Sequence, residues 1–588
     1  MIAEASGPNS GSNSKEPAYA PSNPGHATQW LWIAILALAA ALPYLPTLGY
    51  GFVYDDAPQI VNNPDILSLR NIPQFFTQFI SKAGVHNSRQ PVFYRPLFYS
   101  QLCLTRVLFG PEPFGFHLVS LLLHIGNALL LYVVVLRLGL RPAAARLAAL
   151  LFAVHPVHVE PVVWPSASPD LMVLGAALAS LLAFFKAQET KRSPAASYCW
   201  RGLSLLAFLA ALFVKETGLI TLPLLIAVVF LEPVIGDSAK PDSAQLDSAA
   251  LGSANNQPAS KVSTLRRLAV NLAPYLGITL FYFVIRTHVL HGLAATVTPT
   301  SLLDMARTWP GVLWFYERHL LLPMHSSILY DYDLVTHATL RAFWLPLAAV
   351  LSSSVVAAFF LWKRRSAVVL IALLLLVPPI LLVLDFRVFY WRDLVHDRYL
   401  YTPSAGFCIL AAIALLEMSR GISRVASPAV QQFLCAGLLC ALALTALAEA
   451  QPWRNNLSVL ANAAQLAPGN IAAQIMLGDE LESRNNLVEA RISYLRALQL
   501  TPAWAPAWFA YGRTLLLAGD STGAIQSFQR AIALDDSPIE EVWLAVAMDK
   551  VGRREEASAL LSRAVAQDPS MMQAAIDVEK RENAGSER

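Results

Sequence analysis

Two neighbouring carboxylates, Asp55 and Asp56, stand in the run Phe52-Val53-Tyr54-Asp55-Asp56, about six residues past the end of an apolar segment. A carboxylate at mid-bilayer costs ~2.5–3.5 kcal/mol, so a pair just beyond the hydrocarbon is cheap to keep and faces lipid headgroups. Like-charge repulsion and partial burial both raise a carboxyl pKa, which suits one of the two as a general base toward a hydroxyl. A capping pair for a following helix is the plainer account. His155-Pro156-Val157-His158-Val159-Glu160, with Asp170 further on, offers two imidazoles three residues apart and nearby carboxylates, a set that could share a cation. Pro156 and Pro161 interrupt the helix that would aim them, so a polar cap on a helix end competes with a metal site. Lys215-Glu216 sits between two apolar runs, as a salt bridge or as a means of neutralising a phosphate. Arg398, in Asp397-Arg398-Tyr399-Leu400-Tyr401, opens another run at headgroup level, where a guanidinium snorkels or clamps a phosphate bidentately. Arg95, in Tyr94-Arg95-Pro96-Leu97, has the same two uses.

The elements that must position these groups are membrane helices. The chain has 588 residues, 55% hydrophobic and only 14% charged, and a mean hydropathy of +0.48; an ordinary soluble domain is nearer 25% charged. A net charge of +3, dispersed along the chain, excludes a nucleic-acid footprint. The five cysteines lie in or beside apolar runs without CxxC spacing, which argues against a disulfide framework or a zinc site.

Apolar runs of about spanning length occur at Trp30–Leu48, Phe114–Leu136, Ala143–Val163, Leu171–Lys186, Gly202–Val214, Leu219–Leu231, Leu268–Ile285, Phe343–Trp362, Ala367–Leu384, Pro403–Leu416 and Phe433–Leu447, about eleven crossings in a membrane domain over 30–450. Pro96–Leu108 and Thr308–Leu322 carry internal charges and read as interfacial helices. Residues 1–29, rich in Ser, Pro and Asn, read as a disordered cytosolic tail, and the first run as a retained signal anchor. Residues 236–263 read as a flexible cytosolic linker. With the N-terminus inside, every inner loop is basic (Arg137, Arg141 and Arg146; Lys186, Lys191, Arg192 and Arg201; Lys261, Arg266 and Arg267; Lys363 to Arg365; Arg420 and Arg424). The ionisable groups named above then converge on the outer face, which predicts a site there.

Past the last crossing the period changes. Arg496-Ala497, Arg530-Ala531 and Arg563-Ala564 recur at 34 and 33 residues, as do Ala490, Ala524 and Ala557, while Gly478 and Gly512 are 34 apart. That is the tetratricopeptide (TPR) period, and about three repeats fit in a domain over 456–570, followed by a tail over 571–588. Tyr494, Phe528 and Leu561 are expected to fill the space between neighbouring repeats beside the small Gly and Ala positions. Such arrays offer a groove to a peptide or partner protein and are rarely catalytic. The fold class is therefore all-α: a polytopic membrane bundle followed by a C-terminal TPR solenoid, on the side away from the cytosol.

Taken together the motifs resemble one family. They are Tyr54-Asp55-Asp56 with Asn63-Pro64, Tyr94-Arg95-Pro96-Leu97, Pro113-Phe114-Gly115-Phe116-His117 running to Leu122-Leu123-His124 and Asn127-Ala128, Leu151 to Glu160, Lys215-Glu216-Thr217, and Asp397 to Ser404. In this order, followed by the repeats, they resemble the transmembrane and TPR-repeat O-mannosyltransferases of the GT-C glycosyltransferase superfamily, in particular bacterial relatives. The resemblance implies inverting transfer of a sugar, mannose, from a polyprenyl-phosphate carrier to a hydroxyl of a protein or envelope acceptor. The location implied is the non-cytosolic face of a bacterial inner membrane, or of the endoplasmic reticulum in a eukaryote.

By position in the motif, Asp55 or Asp56 would be the base. Arg95, Lys215 and Arg398 would bind the carrier phosphate, and Tyr54, His155, His158, Glu160, Asp170, Glu216 and Asp397 would line the acceptor or substrate pocket. A divalent metal is optional in this scheme, with His155, His158 and Glu160 as its only candidates. Two departures stand out: Pro169-Asp170 replaces a Gly-Arg-Ala-Asp-like stretch, and Asp397 stands where Glu is more usual. The missing arginine leaves Arg398, Lys215 and Arg95 to hold the phosphate. Two other readings remain: a non-catalytic scaffold that recruits partners through its repeats, and a lipid-linked sugar transporter. The second calls for inverted repeats and mid-span ionisable residues, whereas here the polar groups cluster at span ends.

Overall fold

The computed structural model describes residues 26–78, 93–190, 193–238, 261–292, 298–364, 366–389, 392–422 and 427–586. Most of the expected N-terminal tail and of the 236–263 linker lies outside the described residues, as do Lys191, Arg192, Arg365 and Arg424. Residues 26–29 open the helix His26–Ala41, and the linker is flanked by helices that run to Ser238 and resume at Lys261.

Every regular element among the described residues is helical. Among the described residues eight helices are long and apolar enough to cross a membrane: Thr28–Gly49, Pro113–Arg137, Pro165–Glu189, Pro194–Val214, Leu268–Leu290, Leu340–Phe359, Asp397–Gly421 and Pro428–Arg454. A bent pair, Pro142–Val154 and Pro156–Val163, makes a ninth, and Glu216–Phe230 and Ala367–Leu382 are shorter apolar helices. The eleven expected segments are all helical, but eight, or nine with the bent pair, are of spanning length, and two fall short because their helices break after Lys215 and at Leu382. Pro96–Phe109 and Leu302–Leu321 stay outside the set of spans. Proline opens several helices (Pro96, Pro113, Pro142, Pro165, Pro194, Pro428), where its missing N–H costs nothing and its fixed φ starts the turn.

The 49° bend between Pro142–Val154 and Pro156–Val163 shows how broken backbone is repaired in the bundle interior. Val157 N–H, which in an unbroken helix would bond back to Ala153, donates to His155 Nδ1 instead, at 3.3 Å. The His155 Nε2–H then donates to Leu320 O at 3.1 Å. Ala153 O receives the Nε2–H of His124, from the neighbouring span, at 3.1 Å. That tautomer leaves His124 Nδ1 to accept from the Tyr401 hydroxyl (2.9 Å), which in turn accepts from Asn127 Nδ2 (3.1 Å).

After Arg454 come Asn456–Leu466 and three antiparallel helix pairs: Ile471–Ser483 with Leu487–Leu500, Ala505–Leu517 with Ser521–Leu534, and Pro538–Lys550 with Arg554–Gln567. A last helix, Met571–Ser586, occupies what the sequence suggested was tail. The glycines are steric necessities: a Cβ at Gly478 would lie 2.5 Å from Tyr494 Cε1, and one at Gly512 2.8 Å from Phe528 Cε1. Tyr494 and Phe528 thus fill the space within a repeat, between its two helices, as well as meeting the next one.

The array is knitted to the bundle at the end where the first loop lies. Asn456 Oδ1 accepts from Tyr54 N (2.9 Å), and Arg454 O accepts from Gly51 N (3.0 Å). Asn462 Nδ2 donates to Ser326 O and Asn470 Nδ2 to Tyr330 O, while Arg392 pairs with Asp333 and donates to Gly469 O. Trp453, Val459, Leu460 and Ala463 join the core that the bundle buries.

Candidate functional site

The loop after the first span turns at Tyr54, whose φ of +50° places it in the left-handed region, a conformation that costs a tyrosine roughly 1–2 kcal/mol. The hydrogen bond from its N–H to Asn456 on the array holds it there. The turn sends the two aspartates in different directions. Asp56 is fully buried and accepts from Val53 N (3.0 Å), Ser166 N (3.0 Å) and Ser166 Oγ (2.5 Å). Burial pushes its carboxyl up, to about 7, against the pull of these donors. It clasps the first loop to the start of the Pro165–Glu189 span. Asp55 instead lines an open cleft and accepts from Gln59 Nε2 at 3.0 Å.

That cleft, of about 320 Å³, lies at one end of the spans. Its wall brings together Tyr54 and Asp55 from the first loop, Arg95 from the start of Pro96–Phe109, Asp170 from Pro165–Glu189, and Lys215 and Glu216 from the break after Pro194–Val214. Arg398, from the start of Asp397–Gly421, completes the set. Seven of the expected site residues, from five separate segments, thus share one space.

Most of the charges there are matched. Lys215 Nζ is 2.7 Å from Asp170 Oδ1 and 5.0 Å from the Tyr399 ring centroid. Arg398 pairs with Glu160, fully buried beneath it, whose Oε2 also accepts from Arg398 N at 3.0 Å. Its guanidinium lies over Trp164 (5.2 Å) and Tyr399 (5.0 Å). Glu216 Oε2 lies 3.4 Å from Arg286 Nη1. Arg95 differs: its guanidinium stacks on Phe93 at 4.3 Å, its buried Nε has no hydrogen-bond partner, and among the described residues no carboxylate is in ion-pair contact with it.

Other expected residues lie elsewhere. His155, His158, Glu160 and Asp397 do not line the cleft. His155 is spent on the helix break, and His158 Nε2 is 2.6 Å from Ser404 Oγ. Glu160 serves Arg398, and Asp397 Oδ2 accepts from the Tyr330 hydroxyl at 2.7 Å. They brace the floor and one side. Nor do His155, His158 and Glu160 form a ligand set: among the described residues no three His, Cys, Asp or Glu side chains group so as to hold a metal ion. Asp56, expected as an alternative base, is enclosed by its three donors and is absent from the cleft wall.

The sequence reading missed Trp164, Tyr399, Tyr99 and Phe389, which supply much of the cleft's aromatic surface. It also missed the polar seam beneath. His117, Ser120, His124 and Asn127 recur at i, i+3, i+7 and i+10 on Pro113–Arg137, so they form one buried stripe. That spacing was the available signal.

No protein-family model matches the chain. Along 493 residues, 80% of its length, it is 24% identical to the protein O-mannosyl-transferase F38B6.6 of Caenorhabditis elegans, covering 63% of that protein. Along 525 residues, 85% of its length, it is 25% identical to the protein O-mannosyl-transferase TMTC3 of Mus musculus, covering 54%. The chain therefore spans little more than half to about two thirds of these relatives' length. Among solved structures, ArnT from Cupriavidus metallidurans bound to undecaprenyl phosphate overlaps 92% of this chain and 81% of its own at 16% identity, with a TM-score of 0.35. The homologues of this chain are named as protein O-mannosyl-transferases.

Proposed function

We propose that the chain is a membrane glycosyltransferase that moves mannose from a polyprenyl-phosphate carrier to a hydroxyl of a protein acceptor, at the non-cytosolic face. The observation that carries this reading is the cleft itself. Asp55, outside the buried clasp, shares about 320 Å³ at the span ends with Arg95, Lys215 and Arg398, and with the carboxylates Asp170, Glu216 and Asp393. The similarity to named O-mannosyl-transferases over four fifths of the chain supports the same chemistry.

In this reading the acceptor hydroxyl gives its proton to Asp55 as its oxygen attacks the anomeric carbon. The bond from that carbon to the phosphate oxygen breaks, and the electron pair leaves on the polyprenyl phosphate, inverting the anomeric centre. The leaving phosphate needs positive charge where its own negative charge grows. Arg95, which has no acid in ion-pair contact among the described residues, is the cation best placed to supply it. Lys215 and Arg398 arrive already paired with Asp170 and Glu160, and they shape and polarise the site. Glu216, Tyr54 and Asp170 complete the pocket wall, and the array beside Tyr54 is positioned to hold a protein acceptor close to the cleft.

Membranes containing the chain, a mannosyl polyprenyl phosphate and a hydroxyl-bearing acceptor peptide provide the test. Transfer is expected with the unaltered chain and is expected to vanish with Asp55→Asn at equal membrane abundance. Undiminished transfer by Asp55→Asn would refute the assignment of the base.

A further inference from the structure

Two loops reach the cleft through strained residues, and one helix of the array holds both. Tyr54, at φ +50°, precedes Asp55, and Arg392, at φ +63°, precedes Asp393; both aspartates line the cleft. Left-handed backbone is unfavourable for a tyrosine or an arginine and persists only where the surroundings fix it. Here the surroundings are the helix Ile471–Ser483 and the asparagine before its pair, Asn456.

At the first loop the hold is a relay. Tyr54 N donates to Asn456 Oδ1 at 2.9 Å, and Asn456 Nδ2 donates to Glu480 Oε2 at 2.5 Å. A carboxylate only accepts and a backbone N–H only donates, so these partners leave the Asn456 amide a single orientation. Glu480 is fixed in turn, its Oε1 accepting from Arg484 Nε at 2.7 Å. At the second loop the contact is direct. Asn470, fully buried, caps the helix by accepting from Ala473 N (3.3 Å), and its Nδ2 donates to Tyr330 O (2.9 Å) and Arg392 O (3.2 Å). Arg392 Nη1 donates back to Gly469 O at 2.6 Å. Asn470 and Glu480 are ten residues apart, about 15 Å along an α-helix.

The repeat supplies a control. Trp504 and Thr514 stand at the places of Asn470 and Glu480 one repeat on, and Ser537 and Ala547 in the last. Stacking of repeats therefore does not call for this asparagine and this acid; they belong to the repeat that meets the bundle.

We propose that the helix Ile471–Ser483 holds the two rims of the cleft, with Asn456 and Glu480 as positioning residues for Asp55 and Asn470 as the positioning residue for Asp393. The array is then part of the site as well as a surface beside it. The hold stands without the sugar-transfer reading; its effect on turnover rests on that reading.

The full chain in phospholipid nanodiscs is compared with three variants by amide hydrogen exchange and by mannosyl transfer. They are Glu480→Ala, Asn470→Ser, which keeps a capping side chain, and Tyr494→Phe, which removes a hydroxyl contact to Asp479 inside the array. Glu480→Ala is expected to speed exchange over residues 50–58 about tenfold and to leave 392–397 unchanged; Asn470→Ser should do the reverse, and Tyr494→Phe should alter neither. In Glu480→Ala, kcat is expected to fall about 10-fold to 100-fold with the donor KM unchanged, the signature of a misplaced base. Unchanged exchange at its own rim in either variant, or equal acceleration by Tyr494→Phe, overturns the hold. Faster exchange over 50–58 with kcat intact overturns the positioning of Asp55. An unaltered chain that transfers no sugar refutes the sugar-transfer reading alone, and exchange then decides the hold.

Discussion

The bundle contains two polar regions, one above the other, and they differ in what they leave open. In the lower one the His124 ring, the Tyr401 hydroxyl, the Asn127 amide and the Ala153 carbonyl form a chain with one tautomer and one direction, and His158 reaches Ser404 beside it. None of these residues lines the cleft above. In the upper one acids and bases also pair, but around a space, and among the described residues the Arg95 guanidinium has no acid in ion-pair contact. The His124–Tyr401–Asn127 chain is satisfied and rigidifies the fold, although His158 Nδ1, both His117 nitrogens and Ser120 Oγ near it have no hydrogen-bond partner among the described residues; the upper region differs in that its charge surrounds an open space. Polarity in a membrane bundle is therefore informative about function only once its partners are known. The two adjacent aspartates restate the contrast within two residues: Asp56 is enclosed and Asp55 lines the cleft.

Four substitutions test that division, beginning with the largest expected effect. Asp55→Asn should lower kcat for mannosyl transfer by about 10²–10⁴, the range for losing a positioned general base, with the thermal midpoint of the purified protein unchanged. A drop in midpoint of the size seen for Asp56→Asn would put Asp55 in the scaffold instead. Arg95→Ala should raise KM for the lipid-linked donor by about 10–100-fold, the equivalent of one charge-assisted contact to phosphate. An unchanged KM would move that role to Lys215 or Arg398.

Tyr401→Phe strips the centre of the lower chain, leaving His124 Nδ1 and one Asn127 proton unpaired, and should cost about 1–3 kcal/mol of stability. Thermal unfolding in detergent reads this, and a wild-type midpoint would show that the seam is not structural. Asp56→Asn should cost a similar or smaller amount, because the amide can accept from Ser166 but meets the Val53 N–H with a donor of its own. It also carries a pH signature. The buried carboxyl titrates near 7 against an ordinary value of 3.8, so between those values the folded chain holds a proton that the unfolded chain has lost. Its contribution to stability accordingly falls as pH rises from about 4 to 7 and is flat above. Midpoints measured at pH 5 and pH 8 should differ more for the wild type than for Asp56→Asn; equal differences would show that Asp56 stays ionised in the folded state.

The architecture was legible because two lengths are imposed from outside. Bilayer thickness requires about 20 apolar residues per crossing, and a stacked helix pair requires its 34 residues. Both leave marks in a single sequence: the three helix pairs stand where the period placed them, and of about eleven expected crossings eight are helices of spanning length among the described residues, a ninth is a bent pair and two are shorter apolar helices. The list of site residues was legible in part, since charge in a membrane chain is rare enough to notice: Tyr54, Asp55, Arg95, Asp170, Lys215, Glu216 and Arg398 do share a wall. The roles were not. His155 looked like a metal ligand and proves to be the repair of a helix break that Pro156 creates, through atoms on the Leu302–Leu321 helix that no local spacing could announce. Trp164 carried no signal because an aromatic residue at a span end is ordinary in membrane proteins.

Composition, period and the placement of charge at span ends, then, were settled by the chain alone, because solvent and repeat geometry act on residues by type and spacing. Which aspartate faces the cleft, which cation there lacks an acid, and which histidines are scaffolding were decided by contacts between segments up to about 400 residues apart, such as the bond from Tyr54 to Asn456 that holds the turn between Asp55 and Asp56. A side chain's chemistry depends on its desolvation and its partners, and both exist only once those segments have met.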